Sequence, residues 1–472
     1  MRAGLAGRAL AAALVAGITL LSPVSPASPL SPSLPQAAAD EWRDRQYWLE
    51  EYGFRQAWER TRGEGVTVAV IDTGIDATHP DLTGQVTGGT DVSGAGSPDG
   101  TRPVGPMPGH GTLVASVLAG HGHHGVDGPA RTPSPSVGGT ATGPAGPTAG
   151  PADPATPAST PTLTASATEP GPDGIVGVAP EVELLSVSVN LGADHPNGPT
   201  PEDQIAEAVT WAVDQGADVI NMSLGSTRQD WPESWDRAFL HAEENDVVIV
   251  AAAGNRASGV MTAGAPATIP GVLTVAGLSP DGTASRDAST EGISIGVAAP
   301  ADPLVGAVPG GGWERWQGTS GAAPLVAGLA ALVRSAHPEM PAHQVIHRIL
   351  ATARDAGVPG EDPVYGHGII DAAAAVSAEV EQVDRNPMNT IAEWIRVHRR
   401  AESPTTPPAG TPTASPDGPA STPAPAATAL PQATAPADPA PGLQPALVLG
   451  TGVVTVGLLG TGVALAVRRR GR

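Results

Sequence analysis

Three polar residues sit where the chain must change direction. Asp72 closes the apolar run VAVID and is followed by Thr73-Gly74; His110 lies in PGHGT; Ser320 lies in GTSGAAPLVAG, just before a long apolar run. Each has an ordinary reading. An Asp at such a turn caps it, a histidine at the start of an apolar helix packs there, and a Ser before a helix is an N-cap. Taken together they offer a chemistry that none has alone. Serine is a weak nucleophile near neutral pH, so an imidazole must accept its proton during attack. The imidazole in turn needs a carboxylate to fix its tautomer and stabilise the imidazolium. Glycines flank or closely follow all three, so a substrate backbone could come close to each.

The elements that would position these residues alternate along the chain. Val66–Asp72, Glu183–Val189, Val219–Leu224, Val247–Ala253 and Val272–Ala276 are apolar on both faces, which predicts strands of a parallel sheet covered on each side. Helical patterns fall between and after them: His110–Ala119, Glu202–Gln215, Trp235–Glu244, Thr319–His337 and Ala342–Ala353. A shorter pattern, Met388–Arg400, reads as a basic amphipathic helix that packs on this domain or on another chain. The expected class is α/β, three layers around a mostly parallel sheet. Its chemistry would gather at the carboxyl ends of the strands.

Composition narrows the partners. The formal net charge is −22, so no basic stripe is available to neutralise nucleic-acid phosphates. Cysteine is absent, which excludes disulfides and thiolate chemistry. Met1–Pro26 has the basic start, apolar run and small residues of a signal peptide, giving a leader over residues 1–38. Residues 446–467 carry no charge and match a membrane-spanning helix; RRRGR follows at 468–472 as a basic cytoplasmic tail. Residues 401–445 are almost wholly Pro, Ala, Thr, Ser and Gly and read as an extended stalk. A tract of similar composition, 127–172, reads as an exposed internal loop. The expected arrangement is a single-pass cell-membrane protein whose 39–400 domain lies on the extracytoplasmic side.

The segments VAVIDTGIDATHPDL, PGHGTLVAS, VAAAGN and GTSGAAPLVAG resemble the signature segments of subtilisin-like (S8) serine proteases, in the same Asp, His, Ser order. The resemblance covers Gln46 to Val383. It implies a peptidase domain over 39–400 with Asp72, His110 and Ser320 as the catalytic triad. It also implies that Asn255 donates to the oxyanion and that Ser223, Leu224 and Gly225 form the edge on which an extended peptide pairs. At Leu325, in PLVAG, many secreted members have a histidine. Between Pro26 and Trp42 there is no room for a folding prodomain of the usual size. EYGFRQAWERTRGEGVTVAVIDTG, with the anchor and stalk, is similar to the mycosins, the membrane-anchored proteases associated with type VII secretion. That likeness implies limited cleavage of protein or peptide substrates, and association with a secretion membrane complex. A rival reading is a protease-shaped scaffold subunit that stabilises such a complex, with catalysis secondary.

No cofactor is expected. Subtilisins commonly bind structural Ca²⁺, but no dense Asp/Asn loop specifies a site here. His121, His123 and His124 are close enough in sequence to take a metal, or form a solvated loop face.

Overall fold

The computed structural model describes residues 40–124, 171–192, 198–399 and 447–449. The expected leader (1–38), stalk (401–445) and basic tail (468–472) lie outside them. So do residues 127–170 of the internal tract. The expected span over 446–467 lies outside as well, apart from Leu447–Leu449. Those three residues are extended and pair antiparallel with Leu224–Ser226. Among the described residues no helix is long and apolar enough to cross a membrane.

Seven strands build the central sheet: β1 (Thr67–Asp72), β2 (Val86–Asp91), β3 (Glu183–Ser188), β4 (Val219–Met222), β5 (Val248–Ala252), β6 (Leu273–Leu278) and β7 (Ile295–Pro300). Their order is β7-β6-β5-β4-β1-β3-β2, and every pairing is parallel. Because side chains alternate along a strand, β1 serves two cores: Val68 and Val70 enter one, Ala69 and Ile71 the other.

Helices α1 (His110–Ala119), α4 (Thr319–Ala336) and α5 (Ala342–Ala351) cover one face. Helices α2 (Pro201–Asp214), α3 (Glu233–Glu244) and α6 (Ile391–His398) cover the other. The sequence of α4 is apolar all round, and residues 319–334 are accordingly buried throughout. The expected strand Val219–Leu224 is corrected: it ends at Met222, and Leu224–Ser226 forms a separate short strand. A hairpin of β8 (Leu304–Val308) and β9 (Gly312–Trp316) lies against α1 and was not expected.

Candidate active site

β1 carries Asp72 to the carboxyl edge of the sheet, in register with Ser188 of β3. The chain then turns through Gly74, and α1 begins at His110 itself. Two contacts dock that helix end. Thr73 Oγ1 accepts the Gly111 N–H at 2.9 Å. Gly111 lies so close to the turn that a Cβ on it would stand 2.3 Å from the Gly74 carbonyl oxygen. Only glycine permits that approach.

The result is a buried Asp–His pair. His110 Nδ1 is 2.8 Å from Asp72 Oδ1 and 3.0 Å from Oδ2. Because a carboxylate only accepts, Nδ1 carries a proton, and in the neutral imidazole Nε2 then presents a lone pair. Nε2 is buried without a hydrogen-bond partner. Asp72 Oδ1 also accepts the Thr73 N–H at 2.7 Å, so the capping role and the His-orienting role coexist.

Ser320 is the second residue of α4, and Gly318 occupies the N-cap with no side-chain cap bond. Its hydroxyl is therefore not spent on capping; it donates to Ser223 O at 3.2 Å. Ser320 is bound to Ser223 a second way. Pro324 stands four residues further on and has no N–H to give the Ser320 carbonyl. That carbonyl instead accepts the Ser223 hydroxyl at 2.8 Å. Asn221 Nδ2 donates to Ser223 Oγ at 2.9 Å. The break after Met222 thus lets Ser223 bridge to the start of α4.

Asn255 follows the carboxyl end of β5. Its Oδ1 accepts from Thr319 N at 2.8 Å and from Thr319 Oγ1 at 3.0 Å. Those donors fix the amide, so Nδ2 points the other way, buried and without a partner. A Cβ at Gly318, whose φ is +142°, would stand 3.0 Å from Nδ2. Thr319 N is spent on Asn255 and Gly321 N on the Gly318 carbonyl, so Nδ2 and the positive end of the α4 dipole are what would favour an anion here.

Leu224, Gly225 and Ser226 flank a pocket beside Ser320, faced across it by Ala252–Asn255 and lined by Val260. Its empty volume is about 290 Å³, open mouth included. Val260 lies over Gly254, close enough that a Cβ there would be 2.7 Å from Cγ1. The expected residues Asp72 and His110 meet directly, and Ser223, Asn255 and Ser320 join through short hydrogen-bond paths.

The family profile described as "Subtilase family", Peptidase S8, matches residues 63–368, which include all of these positions. The chain belongs to the subtilase family. Mycosin-4 of Mycobacterium tuberculosis is 31% identical over 365 residues, 69% of this chain and 67% of its own length. Fervidolysin of Fervidobacterium pennivorans is 31% identical over 377 residues, 71% of this chain but 44% of its own length. Among solved structures, the MycP3 protease from the type VII (ESX-3) secretion system superposes with a TM-score of 0.54 at 29% identity. That match covers 74% of this chain and 90% of that one.

Two features of this subtilase were not anticipated. Trp316, the last residue of β9, packs edge-on against His110. Asp81, fully buried, takes N–H donors from three directions: His123 Nδ1 at 2.7 Å, Ile175 N at 2.8 Å and Trp313 Nε1 at 2.7 Å. This draws His123 inward, whereas His121 Nε2 faces the Thr83 carbonyl at 2.9 Å. The histidines do not converge, and among the described residues no group of His, Asp and Glu side chains is placed to hold a metal.

Proposed function

We propose that this subtilase is a membrane-anchored serine endopeptidase that cuts extended protein segments through Asp72, His110 and Ser320. The supporting observation is a pair of buried polar atoms with no partner, His110 Nε2 and Asn255 Nδ2, each aimed by a bond on its far side. They match the two demands of acyl transfer, a proton acceptor and an oxyanion donor.

In that reading a peptide lies along Ser223-Leu224-Gly225 as an added strand. Ser320 Oγ attacks the scissile carbonyl carbon while its proton moves to His110 Nε2. Asn255 Nδ2–H and the Ser320 N–H donate to the new oxyanion. The C–N bond then breaks, and His110 returns the proton to the leaving amine. Water repeats the sequence on the acyl-enzyme and frees Ser320. Before substrate arrives, Ser320 Oγ bonds to Ser223 O; its bond to His110 Nε2 forms only in the complex.

The uncharged run 446–467 with its arginine-rich flank supports a cell-membrane anchor with the catalytic domain outside. The similarity to mycosin-4 and to the type VII secretion protease supports substrates drawn from such a secretion system.

The test is labelling of the full chain in membranes with a fluorophosphonate, beside Ser320→Ala and His110→Ala. The expected result is labelling of the wild type alone. A folded wild type that takes no label would overturn the catalytic reading and favour the scaffold.

A further inference from the structure

From the Leu224–Ser226 edge the chain runs through a short connection into α3, and that connection carries Trp231. The indole of Trp231 packs on Trp394 of α6, with ring centroids 4.5 Å apart and planes at 41°. Its Nε1–H donates to Asp236 Oδ1 at 2.8 Å. Arg399 completes the cluster: Nε donates to Asp236 Oδ2 at 2.6 Å, and the guanidinium lies 4.8 Å from the Trp394 ring centroid. Its Nη2 also reaches the Trp231 carbonyl at 3.4 Å.

Helix α6 is held at its other end as well. Glu243 of α3 accepts the Ile391 N–H at 2.8 Å, Thr390 caps the helix, and Ile391 is buried in the core under α2 and α3. A tail that merely finished the fold would need only the apolar contact. Here the Trp394 indole, the Arg399 guanidinium and the buried Asp236 carboxylate of α3 all bear on one residue of the connection.

Trp231 also faces open space. With Trp235, Ser226 and Arg228 it lines a pocket of about 530 Å³, open mouth included. This pocket shares Ser226 with the smaller one beside Ser320 but contains neither Ser320 nor Asn255. A peptide paired along the edge would rise about 3.3 Å per residue. It would pass from one pocket to the other within a few residues.

We propose that α6 and Arg399 are a specificity strap: they hold Trp231 as the wall of a pocket for a substrate side chain upstream of the cut. Extended substrates depend on the C-terminal helix; short ones do not. The proposal rests on the serine-peptidase reading above.

The test compares two covalent probes on the full chain, an alanyl and a tetra-alanyl diphenyl phosphonate, with a plain fluorophosphonate as control. The variants are Trp394→Leu, which keeps apolar volume, and Arg399→Gln, which keeps hydrogen bonding. Trp231→Ala removes the wall directly. The expected result is a 5- to 20-fold fall, order of magnitude, in the tetra-alanyl rate in all three variants. The alanyl and fluorophosphonate rates should stay within about twofold, as expected when only remote binding is lost. Equal falls for both peptidyl probes would mark general damage and overturn the strap. Unchanged tetra-alanyl rates would overturn it as well. A wild type that ignores the fluorophosphonate would overturn the serine-peptidase reading itself, a failure distinct from that of the strap.

Discussion

Trp316 stands perpendicular to His110, with ring centroids 6.0 Å apart and planes at 84°. The indole is 3% exposed and packs where two glycines make room. A Cβ on Gly321, one residue past Ser320, would stand 3.2 Å from it, and one on Gly306 would stand 3.2 Å from Nε1. A single side chain therefore packs against the imidazole and against the helix that carries Ser320.

Trp316 is on this basis a positioning residue. Trp316→Leu should lower kcat by about 10–100-fold, the scale of an ångström-sized misplacement, with KM little changed. Trp316→Phe should recover most of the loss, because a ring in the same place keeps the aromatic pair. Rates of fluorophosphonate labelling, with thermal unfolding measured in parallel, check this. An equal loss in both variants at unchanged stability would refute a role for the ring.

Much of this site was legible in sequence, and the reasons differ by residue. Asp72 stood out because VAVID is apolar on both faces and can only be a central strand, which leaves its last residue at the sheet's carboxyl edge. Asn255 was legible only through resemblance, since nothing local separates it from a turn asparagine. Trp316 was not legible. It lies at the end of a half-exposed hairpin whose glycines, at 310–312, hide the strand pattern, and its partner is 206 positions away in the chain (316 − 110). The edge strand Val86–Asp91 was missed for a similar reason: VTGGTD lacks the apolar run that identifies buried strands. Ser223 was read inside the strand Val219–Leu224 and as part of the peptide-pairing edge. Its hydroxyl bond to the Ser320 carbonyl depends on Pro324, which no local pattern connects to it.

Asn255→Ala should lower kcat by about 10²–10³ with little change in KM, the scale set by loss of the corresponding donor in subtilisin. The donor acts on charge that exists only in the transition state, so ground-state binding is spared. Thr319→Val should give a milder fall of the same kind. It removes one of the two bonds that aim the amide but leaves the Thr319 N–H in place. Steady-state kinetics on one peptide substrate distinguish the two; a KM effect in Asn255→Ala would argue against the oxyanion role.

The pocket beside Ser320 is small because Val260 lies over Gly254. Substrates with alanine or glycine before the cut should be preferred over those with phenylalanine. Val260→Ala should reduce the alanine-over-phenylalanine ratio of kcat/KM by about tenfold, since a methylene in such a pocket is worth about 1–3 kcal/mol. Competition between the two peptides in one assay reads the ratio directly. An unchanged ratio would show that Val260 does not set the pocket's depth.

Asp81 is a fully buried carboxylate that gathers donors from three separate parts of the chain. Removing it strands donors from His123, Ile175 and Trp313 at once. Asp81→Ala should cost about 3–5 kcal/mol, as expected when one partner of a buried polar network is lost. Chemical denaturation of the folded enzyme measures it. A cost below about 1 kcal/mol would mean that those donors find water.

His79 adds a pH dependence to the same region. Its Nδ1 accepts the Asp81 N–H at 3.1 Å, so the proton sits on Nε2, which faces the Gly312 carbonyl at 3.0 Å. Burial lowers its pKa below the usual histidine value; Asp81, the Gly312 carbonyl and Asp76 oppose the shift, and His123 adds to it. The sign follows from proton counting. Once the pH falls below about 6.5, the unfolded chain binds a proton that the folded chain refuses. Stability should therefore fall on acidification through that value and level off only below the folded pKa. His79→Gln keeps a side-chain hydrogen-bonding group but cannot titrate, so its unfolding free energy should depend less on pH as the pH falls below about 6.5. Denaturant melts at a series of pH values test this, and identical slopes in wild type and variant would rule His79 out as the titrating group.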